Sequence, residues 1–177
     1  GAVVAEADAN AVTRGAFEAA CAGLVGEIAQ TPPLYSAIKQ DGQPLHRLVR
    51  RGRDVTVEPR PVTIHEIALL AFEPPFATIA VACGKGAYIR SLAHDLGAAL
   101  GCGAHLSALR RLAASGLDIA TATPLAELAP DNWRARLIAP WEALAAFPRV
   151  TITPAQRAEL LLGRAIMLSE EATGRRL

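Results

Sequence analysis

Along this chain the apolar positions change period most clearly between Phe76 and Leu100. Phe76 to Cys83 alternates β-branched with small residues, the pattern of a strand. Beyond it, Ile89, Leu92, Ala93, Leu96 and Leu100 recur at i, i+3, i+4, i+7 and i+11, which lines one helix face, and Gly101 follows where a left-handed helix stop belongs. Between strand and helix, Gly84 and Gly86 supply backbone freedom for a sharp turn. Lys85, Tyr88 and Arg90 therefore gather at a strand-to-helix junction. An ammonium, an aromatic ring and a guanidinium beside free backbone amides suit an anionic ligand that also has a flat face to stack.

The same reading predicts the other elements. Thr13 caps a helix whose stripe is Phe17, Ala20, Cys21 and Leu24, ending near Gly26. Thr31-Pro-Pro forces an extended segment, because proline cannot donate to a ladder and restricts the residue before it. From Leu34 to Arg60, glycines and prolines mix with arginines, the composition of a long excursion rather than of core. Within it Leu45, Leu48 and Val49 have the spacing of a short amphipathic helix that leaves Arg47, Arg50 and Arg51 to solvent. Pro61 to Phe72 reads as a strand, Val62 and Ile64 alternating against Thr63, His65 and Ile67. Glu73-Pro-Pro is a turn, so Phe76 to Cys83 returns antiparallel. His105 to Leu112 is expected to form a further strand ended by Ala113 to Gly116, and Thr123-Pro to start a short helix.

Composition narrows the class. No apolar run approaches the ~20 residues that span a bilayer, and the amino end lacks a basic-then-apolar signal, so a soluble cytoplasmic protein is expected. Cys21, Cys83 and Cys102 are odd in number and form no C-x-x-C pair, which fits a reducing compartment. Cys102 and His105 lack the further partners a tetrahedral metal needs, and no metal is expected. The net charge of +1 is unevenly spread. Residues 39–60 carry six positive side chains against three negative, and residues 83–111 four against one, leaving the remainder at −5. Positive charge thus concentrates where the motifs lie, as expected of a surface that meets a polyanion.

Those motifs resemble one family. Cys83-Gly-Lys-Gly-Ala-Tyr-Ile-Arg is similar to the Cys-Ser-Lys-Gly-Thr-Tyr-Ile-Arg signature of the bacterial tRNA pseudouridine synthase B family, with Gly84 and Ala87 in place of Ser and Thr. Gly26-Glu-Ile-Ala-Gln-Thr-Pro-Pro-Leu-Tyr-Ser-Ala-Ile-Lys resembles its Gly-x-Ile-x-Gln-x-Pro-Pro-x-Tyr-Ser-Ala-x-Lys. Arg50-Arg-Gly, Arg60-Pro-Val, Leu100-Gly-Cys-Gly-Ala-His-Leu and Leu109-Arg-Arg follow in order. Several ordered motifs are far more specific than one. The resemblance implies an α+β fold around a mixed, largely antiparallel sheet. It implies residues 1–146 as the later part of the catalytic domain, with an RNA-clasping arm at 34–60, and residues 147–177 as the truncated start of a small carboxy-terminal RNA-binding domain.

It also implies an isomerase that converts uridine 55 in the T loop of tRNA to pseudouridine, acting as a monomer on the T stem-loop. The base leaves its stack, the bond from ribose C1′ to uracil N1 breaks, and the base rejoins through C5; neither metal nor redox cofactor is required. By the same resemblance Arg90 supports the catalytic aspartate, Tyr88 and Leu109 line the uracil pocket, and Lys85 offers charge to a phosphate. Lys39, Arg47, Arg50, Arg51 and Arg53 would meet RNA from the arm. The aspartate itself is missing: no Asp in the chain is followed by Pro, and neither Lys39 nor Lys85 has a tyrosine two positions on, so the family's Gly-x-Leu-Asp-Pro and Lys-x-Tyr motifs have no match. The chain alone is expected to be inactive. The other readings stay open. Arg90 could be a helix-end arginine paired with Asp95, Tyr88 and Leu109 could be plain core, and the whole could be a non-catalytic RNA-binding or remodelling module. Ser91, His94 and Asp95 are too close on one helix to converge as a hydrolase triad.

Overall fold

In the computed structural model, residues 3, 5–36, 38–40, 43–51 and 55–168 are described, without the side chains at 39, 40, 44, 46 and 49. Arg53 and the side chain of Lys39 lie outside the described residues, as does that of Val49. The chain divides into two units, residues 1–108 and 109–177.

The first unit begins its regular structure at Thr13, whose Oγ1 accepts the Ala16 N–H at 3.2 Å and starts α1 (Arg14–Ala22). The helix closes on Gly23, three residues before the expected end. After Leu24 and Val25 comes a five-residue strand that apolar patterning does not announce, β1 (Gly26–Gln30), because only Gln30 in it is buried. Within the excursion, β2 (Lys39–Gln40) and β3 (Gln43–Pro44) make a small hairpin. The predicted amphipathic helix follows as α2 (Leu45–Arg50), with Leu45 and Leu48 buried and Arg47, Arg50 and Arg51 exposed.

β4 (Arg60–Glu73) and β5 (Phe76–Cys83) pair antiparallel across the Glu73-Pro-Pro turn as expected. β1 pairs antiparallel with the start of β4, so the sheet order is β1-β4-β5. The alternation read along β4 fails at one place. Register shifts between Ile64 and Glu66, adding a residue to one strand, and Ile67 comes to rest on the helix-covered core rather than opposite Val62 and Ile64. α3 (Ile89–Leu100) then runs with Leu92 and Leu96 buried and stops at Gly101, whose φ is 75°. Cys21 of α1 joins Leu92 and Leu96 in the core, and Phe17, Ala20, Leu24, Ile67, Ile79, Val81 and Ile89 pack around them. The two helices thus lie against the sheet through the stripes the sequence predicts.

One glycine explains how α3 is held at its far end. Gly97 is buried, and a Cβ built on it would lie 2.1 Å from Ala104 N and 2.2 Å from Gly103 C. The chain after α3 folds back across this bare position, and Gly103 N–H donates to Gly97 O at 3.0 Å.

The strand expected over His105–Leu112, at the end of the first unit and the start of the second, does not form: among the described residues that stretch pairs with nothing in a sheet. Its apolar positions are separated by Arg110 and Arg111, and Leu109 and Leu112 are both exposed, so no face is available to bury. Instead β6 (Ala113–Ala114) and β7 (Leu117–Asp118) form a two-residue-loop hairpin over Ser115 and Gly116, whose φ values of 52° and 81° suit a primed turn. The helix expected after Thr123-Pro shrinks to a single 3-10 turn, Leu125–Glu127. α4 (Pro140–Ala143) and α5 (Pro154–Leu161) complete the unit; α5 opens on a capping box in which Thr153 and Gln156 each accept the other's N–H. None of the described residues 109–168 is buried.

Candidate functional site

The entry to α3 is strapped to the end of β1 and the segment after it by three hydrogen bonds. Tyr88 N–H donates to Gln30 Oε1 at 2.7 Å, Ser91 Oγ donates to Thr31 O at 2.7 Å, and the Arg90 guanidinium donates to Tyr35 O at 3.1 Å. The two stretches are about sixty residues apart in sequence and are the two strongest motifs of the chain. Thr31-Pro-Pro takes the chain out of the sheet, and the carbonyls of Thr31 and Tyr35 beyond β1 are the ones the helix entry uses. Tyr88 stands at the N-cap without a side chain suited to capping, and the Gln30 amide holds its backbone from outside.

The turn before the helix is similarly specific. Gly86 has a φ of 89°, which side-chain-bearing residues rarely adopt. Gly84 needs no such freedom: its N–H donates to Thr63 O at 2.8 Å, and a Cβ there would meet only ordinary contacts at 3.6 Å. The position therefore has room for the serine found in the resembling signature.

Among the expected site residues, the structure brings Lys85 and Tyr88 together on one pocket of about 160 Å³, with Gln30, Pro32, Ile38, Arg60, Pro61, Val62 and Gly86. Arg90 is exposed and has no carboxylate partner among the described residues. Asp95, its alternative partner, lies instead 3.5 Å from His94 Nδ1, both at the surface. Arg47 and Arg50 stand on the exposed side of α2, and Arg51 donates to Gln43 Oε1 at 3.3 Å. Leu109 is the first residue of the second unit and is 65% exposed, so it is not core packing. No group of three or more potential metal ligands occurs among the described residues. Burial, with Glu18 nearby, raises the Cys21 thiol above the ordinary 9.0; this residue belongs to the α1–α3 core, not to this site.

Gln30, Arg60 and Ser91 are the residues to which sequence reasoning gave no role at this site. Gln30 and Arg60 face each other as the last pair of the β1–β4 register, which puts both side chains on one face of the sheet. The available signal was a glutamine and an arginine at fixed places in two separate motifs. Only strand pairing makes them neighbours.

Comparison with known proteins shows the family and the fold. The family model for the amino-terminal domain of TruB family pseudouridylate synthases matches residues 1–89, and that for the tRNA pseudouridylate synthase B C-terminal domain matches residues 90–146. The tRNA pseudouridine synthase B of Azoarcus sp. (strain BH72) is 46% identical over 177 residues, 98% of this chain and 59% of that protein. Its counterpart in Syntrophotalea carbinolica is 41% identical over 87% of this chain and 51% of its own length, and that of Pseudomonas aeruginosa 51% over 72% and 42%. The chain spans about half the length of the curated relatives it matches. A solved Cbf5-Nop10-Gar1 complex contains a chain of similar structure, with a TM-score of 0.56 and 28% identity over 78% of this chain and 38% of that one. The fold is that of an α+β pseudouridine synthase, and the chain belongs to the TruB family of pseudouridylate synthases.

Proposed function

We propose that these residues form the RNA-clasping and pocket-lining part of a tRNA pseudouridine synthase that isomerises uridine 55 in the T loop. The nucleophilic aspartate is supplied from outside the 177 residues. The observation that carries the reading is the strapped helix entry, which presents Arg90 with no carboxylate partner among the described residues. An arginine held by one backbone carbonyl at 3.1 Å keeps further donors for an incoming carboxylate, which it would hold ionised and oriented. Tyr88 would wall the flipped base, and the resemblance gives Leu109 a base-lining role as well. Lys85 would meet a phosphate, while Arg47, Arg50 and Arg51 on α2 and its end, with Lys39 and Arg53, would grip the T stem-loop from the arm. Residues 147–177 are assigned to the start of a carboxy-terminal RNA-binding domain. The protein acts in the cytoplasm as a monomer.

The test is a T stem-loop RNA incubated with the 177-residue chain and assayed both for binding and for pseudouridine. Binding without pseudouridine is the expected result. Pseudouridine formed by the chain alone would overturn the placement of the nucleophile, and failure to bind the RNA would overturn the RNA-contacting role.

A further inference from the structure

Gln30 is 1% exposed and lines the pocket formed with Arg60, Lys85 and Tyr88. Its amide orientation is settled by chemistry. Oε1 accepts the Tyr88 N–H at 2.7 Å, and a flipped amide would set two donors against each other. Nε2 is consequently a fixed donor, and it is enclosed without any acceptor among the described residues. Fully buried amide donors almost always have a partner, so an orphan on a pocket wall points to a group that arrives from outside.

The lining says what that group is. Two cations, Arg60 and Lys85, stand exposed at the pocket, and among the described residues no acidic side chain lines it. Neither cation pairs with a carboxylate among the described residues. Pro32 and Val62 are buried beneath them, and Ile38 is half-buried, so the interior is poor in competing hydrogen bonds. At about 160 Å³ the space is smaller than the ~300–1,000 Å³ of sites that enclose a whole small molecule, and it takes one group of a larger ligand. We infer that this pocket is a phosphate subsite, in which Gln30 Nε2 donates to an oxygen of a backbone phosphodiester of the bound RNA while Arg60 and Lys85 neutralise its charge. The inference rests on the RNA-binding reading above. It links that phosphate to chemistry nearby, because the same Gln30 amide holds Tyr88 at the entry of the helix that carries Arg90.

The direct probe is the Gln30 side-chain amide signal of the 15N-labelled chain. Titrating inorganic phosphate should shift it saturably, and the shift should vanish in the double variant Lys85→Ala, Arg60→Ala. A signal that does not move, or that moves equally in the double variant, overturns the subsite. T stem-loop RNA should move the same signal and displace phosphate. In RNA binding, Lys85→Ala and Arg60→Ala should each lower the log–log salt slope by about 1. RNA that binds without moving the amide overturns the backbone assignment and leaves a site for free phosphate. Absence of RNA binding with an intact phosphate shift would instead overturn the RNA-binding reading alone. Gln30→Glu keeps an acceptor for Tyr88 N–H and removes the donor, so it should weaken RNA binding about tenfold or more while the unfolding midpoint is retained. Should that variant fail to fold, the two exposed cations still decide the matter.

Discussion

Replacing Gly97 by alanine tests the packing that holds α3 in place. The added methyl would sit 2.1 Å from Ala104 N, 2.2 Å from Gly103 C and 2.8 Å from Ala104 Cβ, against ~3.5–4.0 Å for an ordinary contact. Two of those atoms are backbone, so a rotamer change cannot relieve the overlap; residues 103–104 must retreat by more than ~1 Å. Overpacking of this kind costs about 1–3 kcal/mol, and losing the 3.0 Å bond from Gly103 N–H to Gly97 O adds about 0.5–1.5 kcal/mol. Alanine in a helix returns about 1 kcal/mol. The net is a destabilisation of about 2 kcal/mol, which for a unit of roughly 100 residues lowers the melting temperature by about 10 °C. Thermal and urea unfolding followed by circular dichroism measure it. Gly15 in α1 supplies a control of opposite sign, since a Cβ there meets nothing within 4 Å, and Gly15→Ala should leave stability equal or raised by up to about 1 kcal/mol. A Gly97→Ala protein that melts at or above the parent temperature would refute the close-approach argument.

Replacing Arg47, Arg50 and Arg51 together by alanine should weaken T stem-loop binding and flatten its salt dependence by about 2–3 in log–log slope, since all three are exposed; an unchanged slope would place the RNA elsewhere. Arg90→Ala removes an exposed bond to Tyr35 O and should cost about 1 kcal/mol of stability or less. In an enzyme complete with its aspartate it should reduce turnover far more than RNA affinity, and a loss confined to affinity would favour a non-catalytic module. Cys21 is protonated more tightly in the folded than in the unfolded chain, because burial, with Glu18 beside it, raises its pKa above 9.0. Its contribution to stability is therefore complete below about pH 9 and falls as pH rises beyond it, and Cys21→Ala should remove that part of the alkaline decline in urea titrations.

The two helices and the β4–β5 hairpin were legible in sequence because each has an uninterrupted period, a marked end and a local partner. Thr13 and Gly101 bound helices whose apolar stripes become the core, and Glu73-Pro-Pro joins strands that need only each other. The motifs also carried enough order to identify the family. What the chain could not announce depended on contacts between distant residues. β1 has no apolar alternation of its own and exists because β4 pairs with it. The shift near Glu66 returns Ile67 to the core against the local period, and the expected strand at His105–Leu112 lacks a buried face to pay for sheet formation. Gln30 is the clearest case. In sequence it is one polar residue before a Thr-Pro-Pro, and only the fold sets it across from Arg60 and against the Tyr88 N–H, with one end of its amide satisfied and the other without an acceptor among the described residues. Local periodicity determines which segments are helices and strands, because it is set by neighbours in sequence. Tertiary structure decides which polar groups lose water and what must replace it, because burial is set by neighbours in space.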